Sequence, residues 1–229
     1  QGHHTMYTQL TCDFLGVTPD VVRIIESDTG LVKKGTGTSA SRSTTMGGSA
    51  IFLAANKIID KGKIIAAHLL GGTADDIVFE KGAFKLSSTN RLTTLAEVAK
   101  AANTPGQLPP GVEPGLCESG THTSVSPNWP NGCHICEVEV EPETGKVRVV
   151  DYTVAEDVGT VVNPMLLTGQ VKGGIMQGIG QVLMEEIVYD KDSGQLVSGS
   201  FMDYCMPRAD DFVANVSVSH VPVPTKTNP

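Results

Sequence analysis

A chain of 229 residues is long enough for one large domain or two small ones, and its net charge of −8 argues against nucleic acid as the main partner. No apolar run reaches the length of a membrane span. Five cysteines, an odd number in no framework spacing, fit a reducing, cytoplasmic compartment.

In chain order, residues 6–15 read as a short helix ended by Gly16, and 21–25 (VVRII) as a strand. Residues 35–43 (GTGTSASRS) form a loop of small and hydroxyl residues that opens onto a long apolar helix, 44–59, continued by 64–70. Residues 77–79 and 83–86 flank Lys81-Gly82, the signature of a hairpin, and 95–102 reads as a short helix. The segment 106–115, rich in proline and glycine, is the expected linker between a first α/β segment, 1–105, and a second, 116–229. Beyond it, 133–140 and 147–154 alternate about 142–145 (PETG) as a second hairpin, and 196–200 and 216–221 read as later strands. The fold class is mixed α+β.

The most unusual stretch is 169–186, GQVKGGIMQGIGQVLMEE, entered through the helix-start signal Asn163-Pro164. Val171, Ile175, Ile179 and Val182 share one helical face; Gln170, Gly174, Gln177, Gly178 and Gln181 share the opposite one. A glycine inside a helix costs up to about 1 kcal/mol relative to alanine. Something must offset five of them between Gly169 and Gly180: close approach of another backbone, or of a ligand that the glutamine amides bind.

Three polar, glycine-containing segments accompany this helix: Gln1-Gly2-His3, the loop 35–44, and Asp157 to Thr160 leading into Asn163. Each adjoins a helix start, where unpaired N–H groups suit phosphate oxygens, but helix caps have the same composition. Cys133 and Cys136 form a CxxC on an alternating strand, where residues three apart face opposite ways, so a shared metal is not expected. Glu185-Glu186 reads as an acid pair or, more simply, as a solvated or ion-paired helix end. Neither a GxSxG elbow nor a GxxxxGK[ST] loop is present, which weighs against a hydrolase or kinase.

In order, QGHHTMYTQL (1–10), GTGTSASRST (35–44), NGCHICEVEVEPETGKVRVVDY (131–152), the motif 157–186, FMDYCMPRADD (201–211) and VPVPTKTNP (221–229) carry a resemblance. The chain resembles the molybdopterin-binding subunit of the xanthine dehydrogenase and aldehyde oxidase family, in particular bacterial members similar to the large subunit of aerobic carbon monoxide dehydrogenase. The resemblance implies a two-lobed α/β fold and a molybdenum ion held by molybdopterin, often as the cytosine dinucleotide. It implies hydroxylation of an aldehyde or N-heterocycle with water, with [2Fe-2S] and FAD centres on partner chains taking the electrons.

Carried over by position, Gln1, Gly2 and His3 bind the pterin or its phosphates. Thr38, Ser39, Ala40, Ser41, Arg42, Ser43 and Thr44 cradle the dinucleotide end, Asp157, Gly159, Thr160 and Asn163 edge the pterin, and Gln170 hydrogen-bonds it. The family's glutamate base follows the TNP segment and is expected beyond Pro229; no catalytic residue and no metal ligand is expected within the chain. The rest of the molybdopterin subunit is then a partner too. The alternative is a truncated or split, non-catalytic subunit for cofactor binding or assembly.

Overall fold

The computed structural model describes all residues except Lys33 and Thr36. The chain forms two compact units, one of residues 2–128 with 226–229 and the other of Gln1 with 129–225.

The first unit opens with helix α1 (His3–Leu15), which starts earlier than expected and ends at Gly16, φ +61, as a left-handed C-cap. Gly16 is required twice over, because a side chain there would overlap the backbone of Gly82. A five-residue π turn (Thr44–Gly48) leads into α2 (Ser49–Leu70), so the expected long helix and its continuation through 64–70 are one unbroken element. The strands β1 (Ile77–Glu80), β2 (Ala83–Leu86) and β3 (Leu92–Thr94) form an antiparallel sheet in that order. The expected hairpin turns at Lys81 and Gly82, both with positive φ, as a twisted two-residue turn needs.

Helix α3 (Leu95–Ala102) follows from a capping box: Thr94 Oγ1 accepts the Glu97 N–H at 3.2 Å while Glu97 Oε2 accepts the Thr94 N–H at 2.8 Å. The Thr94 backbone N–H, followed by the Thr94 and Thr93 hydroxyls, holds the Glu97 carboxyl below its ordinary value. The core joins α2, β1, β2 and α3 through Ile65, Leu70, Ile77, Phe84 and Val98. Gly62 leaves room for the Phe84 ring. Residues 106–115 belong to this unit: Leu108 and Val112 pack against the core, and the Gly115 N–H donates to Ala102 O.

Two expected strands are not strands. Val21 ends a 3₁₀ turn (Pro19–Val21), and residues 22–25 join no ladder among the described residues. Of 196–200, only Leu196 bridges, to Tyr189. Both stretches have strand-like residues, but a ladder needs a neighbour that local sequence does not supply.

The second unit is a sheet of β4 (Asn131–Val140), β5 (Val147–Asp157) and β6 (Val216–His220). β4 and β5 pair antiparallel with a bulge at Glu137/Val138, and β5 pairs parallel with β6. The parallel pairing requires a crossover, and helix α4 (Pro164–Leu183) lies within that crossover. Asn163 caps α4, its Oδ1 accepting the Leu166 N–H at 3.1 Å, and Pro164 takes the first turn. The helix therefore begins five residues before the expected 169. Its apolar face is only partly used: Ile175 is buried, whereas Val182 is 79% exposed.

Candidate functional site

The first unit brings two of the predicted segments together. Gly2, φ +77, is the N-cap of α1 and has no side chain to cap it, so the first-turn N–H groups point along the helix axis past its N-terminus without a side-chain cap. The loop 37–44 lies against this helix start. His3 Nε2 is 3.4 Å from Thr38 Oγ1, and Thr38 Oγ1 is 2.6 Å from Ser43 Oγ. Tyr7 donates its hydroxyl to Ser43 O at 3.0 Å, and Thr44 Oγ1 donates to Met6 Sδ at 2.8 Å. Burial, with the Glu26 charge second, pushes the Tyr7 phenol above its ordinary value.

Within the loop, Arg42 donates from its guanidinium to Gly37 O at 3.2 Å and from its N–H to Ser39 O at 3.2 Å. Ala40 and Ser41 hold φ of +49 and +54, a left-handed pair without glycine. Such strained residues persist only where surroundings over-determine them. Thr36 of this loop lies outside the described residues. The glycines that follow serve packing: a side chain at Gly47 would overlap the Tyr7 ring.

The second unit holds the third segment. Asp157 Oδ1 accepts the N–H of Val223 and of Gly159, each at 3.0 Å. These donors, Val223 first and Gly159 next, keep the Asp157 carboxyl below its ordinary value. Asp157 thus fixes the turn through Gly159, φ +73, that leads to Asn163. Thr160 and Gln170 are exposed.

The polar face of α4 is open. Gln170, Gly174, Gln177, Gly178 and Gln181 are all exposed, and a side chain at Gly169, Gly173, Gly174 or Gly178 would meet no atom within 4 Å. Of the two explanations for this glycine run, packing within the chain applies only to Gly180, which sits under Pro207.

Glu185 is part-buried, its Oε2 accepting the Tyr204 hydroxyl at 2.6 Å, while Glu186 is exposed, as expected of a solvated helix end. Cys133 and Cys136 lie on β4 opposite Ala155 and Tyr152. Among the described residues no group of His, Cys, Asp and Glu could hold a metal ion, and no helix is long and apolar enough to cross a membrane. Sequence reasoning missed Glu26, whose Oε2 is 3.3 Å from His3 Nδ1 and whose Oε1 is 3.3 Å from His4 Nε2. It carries no motif, and its partners are 22 and 23 residues away in the chain.

A family model for the molybdopterin cofactor-binding domain matches residues 1–213. The chain belongs to this family. This molybdopterin cofactor-binding chain is 36% identical over 212 residues to the carbon monoxide dehydrogenase large chain of Hydrogenophaga pseudoflava, covering 91% of this chain and 26% of that one. It is 34% identical over 211 residues to the 6-hydroxypseudooxynicotine dehydrogenase complex subunit gamma of Paenarthrobacter nicotinovorans, covering 92% and 26%. Among solved structures, Cu,Mo-CO dehydrogenase in its carbon monoxide reduced state superposes on all of the chain and 28% of its own, with a TM-score of 0.87 at 32% identity. Quinoline 2-oxidoreductase from Pseudomonas putida 86 gives 0.82 at 37% identity, covering 100% and 29%. The chain spans about a quarter of the length of these relatives.

Proposed function

We propose that residues 1–229 form the cofactor-binding portion of the large subunit of a molybdenum hydroxylase. The enzyme is a cytoplasmic oxidoreductase that hydroxylates an aldehyde or N-heterocycle with water and passes electrons to iron–sulfur and flavin subunits. The observation that carries the reading is the α4 face, where four glycines stand open beside Gln170, Gln177 and Gln181. Glycines kept at a cost in helix stability, with no neighbour among the described residues to require them, leave bare backbone for a flat partner. A pterin fits that strip, because its ring edge carries donors and acceptors that a glutamine amide can match.

The uncapped start of α1 and the loop 37–44 fit the phosphates of a molybdopterin dinucleotide, the cytosine form being the one proposed. In this reading Gln1, Gly2 and His3 hold the phosphate or pterin, and backbone N–H groups from Thr38 to Thr44 cradle the dinucleotide end. Gly159 and Thr160 edge the pterin on a turn that Asp157 and Asn163 stiffen, and Gln170 hydrogen-bonds it. When bound, the molybdenum–molybdopterin group supplies the two-electron redox chemistry. The chain's own residues bind and orient it.

Elemental analysis for molybdenum, fluorescence of the oxidised pterin and release of CMP on acid hydrolysis, all on the natively produced assembly, test this. Molybdenum, pterin and CMP in equal amounts are expected. A folded native assembly with no pterin and no phosphate-bearing ligand refutes the reading.

A further inference from the structure

His3 has a partner on each ring nitrogen: Glu26 Oε2 at 3.3 Å on Nδ1 and Thr38 Oγ1 at 3.4 Å on Nε2. Its side chain is 17% exposed. We propose that Glu26 is a positioning residue for the phosphate end of the site: it accepts the Nδ1–H of His3, holds the imidazole against Thr38, and through Thr38 fixes Ser43 and the loop over the start of α1. The proposal rests on the reading that this loop and helix start hold the cofactor's phosphates.

A carboxylate only accepts, so the proton between it and His3 sits on Nδ1. With the imidazole neutral, Nε2 is then an acceptor, and the Thr38 hydroxyl must donate to it. That hydroxyl has one proton, so the 2.6 Å contact between Thr38 and Ser43 is made by Ser43 donating. A single direction results, Ser43 to Thr38 to His3 to Glu26, set by the one charged acceptor at its end. Tyr7 braces the far end, donating to Ser43 O at 3.0 Å with its ring centroid 5.6 Å from that of His3. The second oxygen of Glu26 reaches His4 Nε2, so one carboxylate spans the first two residues of α1.

Two consequences follow. The hydroxyl protons of Thr38 and Ser43 are committed inward, so the loop offers an anion its backbone N–H groups, and these hydroxyls serve to hold the loop. The sign of the Glu26 effect also becomes diagnostic. As a bare charge, Glu26 repels an anion, and removing it tightens binding. As a positioning residue, it holds the loop, and removing it weakens binding.

The experiment uses the full-length protein in its native assembly, freed of cofactor, with inorganic pyrophosphate as the calorimetric probe and ¹⁵N-histidine NMR for the ring. Glu26→Ala should bind pyrophosphate about tenfold more weakly, the scale of losing one hydrogen bond to a charged group. Glu26→Gln, whose amide oxygen still accepts from Nδ1–H, should stay within about threefold of wild type. Thr38→Val, which cuts the chain one link later, should weaken binding as Glu26→Ala does and serves where the latter does not assemble. His3 Nδ1 should carry a proton in wild type and in Glu26→Gln.

Unchanged or tighter binding by Glu26→Ala overturns the positioning role, as does a wild-type His3 protonated on Nε2 alone. Wild type that fails to bind pyrophosphate overturns the phosphate reading itself, which distinguishes that failure from a failure of Glu26.

Discussion

Tyr204 donates its phenolic hydrogen to Glu185 Oε2 at 2.6 Å, tying the DYCMP segment to the end of α4, where Pro207 covers Gly180. The bond to Glu185 is the first cause, and burial the second, of a phenol held above its ordinary value of 10.0. A group whose folded value is raised contributes stability that is complete below the ordinary value and lost as pH rises through the folded one. The tie should therefore be intact at neutral pH and release only on the alkaline side of 10.0. Spectrophotometric titration of wild type against Tyr204→Phe should show one late phenolate missing in the variant. A phenolate lost in Tyr204→Phe that titrates at or below 10.0 would disprove the tie.

The α4 glycines divide into two classes with opposite expected responses. Gly174→Ala and Gly178→Ala add a methyl group where nothing lies within 4 Å, so each should raise the stability of the cofactor-free protein, by up to about 1 kcal/mol. Both should lower pterin content, because the methyl stands on the strip assigned to the cofactor. Gly180→Ala meets Pro207 and Glu185 Oε1 and should destabilise by about 1–3 kcal/mol. Denaturant melts and pterin assays on the same preparations check both halves. A Gly174→Ala protein that keeps full pterin content would remove this strip from the site.

Asp157 offers a test at the acid end. Its carboxyl is held below the ordinary 3.8 by the N–H groups of Val223 and, after it, Gly159. A depressed group contributes stability present above its ordinary value and lost as pH falls through the folded one. Asp157→Ala should be less stable than wild type at neutral pH, and the gap should close on acidification below 3.8. Denaturant midpoints measured across that range check it, and a gap independent of pH would mean that the two N–H bonds do not matter.

What the sequence made legible was local. Lys81-Gly82 specifies its hairpin because both residues tolerate positive φ, and Asn163-Pro164 starts α4 because a cap oxygen and a fixed φ are needed there. The strand expected at 21–25 failed because pairing is decided elsewhere in the chain; Val21 is 67% exposed and sits in a 3₁₀ turn. The site divided the same way. The glycine–glutamine face of α4 could be read from spacing, and its exposure is what the structure added. Glu26 could not be read, since nothing in IIESDT signals two histidines 22 and 23 residues upstream.

Gln170 gives the sharpest local test of where the cofactor lies. It sits in the second turn of α4, exposed, next to Gly169 and one turn before Gly174. Gln181 lies on the same face near the other end of the helix, eleven residues or about 16 Å away at ~1.5 Å per residue. A single amide bonding the pterin at the N-terminal end cannot be replaced from that distance. Gln170→Ala should therefore lower pterin and molybdenum content several-fold, since a ligand group left without its partner costs about 1–3 kcal/mol. Gln181→Ala should leave both near wild type, and neither change should lower stability by more than about 0.5 kcal/mol, as expected for exposed helix positions. Metal and pterin analysis with parallel thermal melts separates the effects. Equal cofactor content in wild type and Gln170→Ala would move the ligand away from the N-terminal half of α4, and a loss confined to Gln181→Ala would move it to the other end.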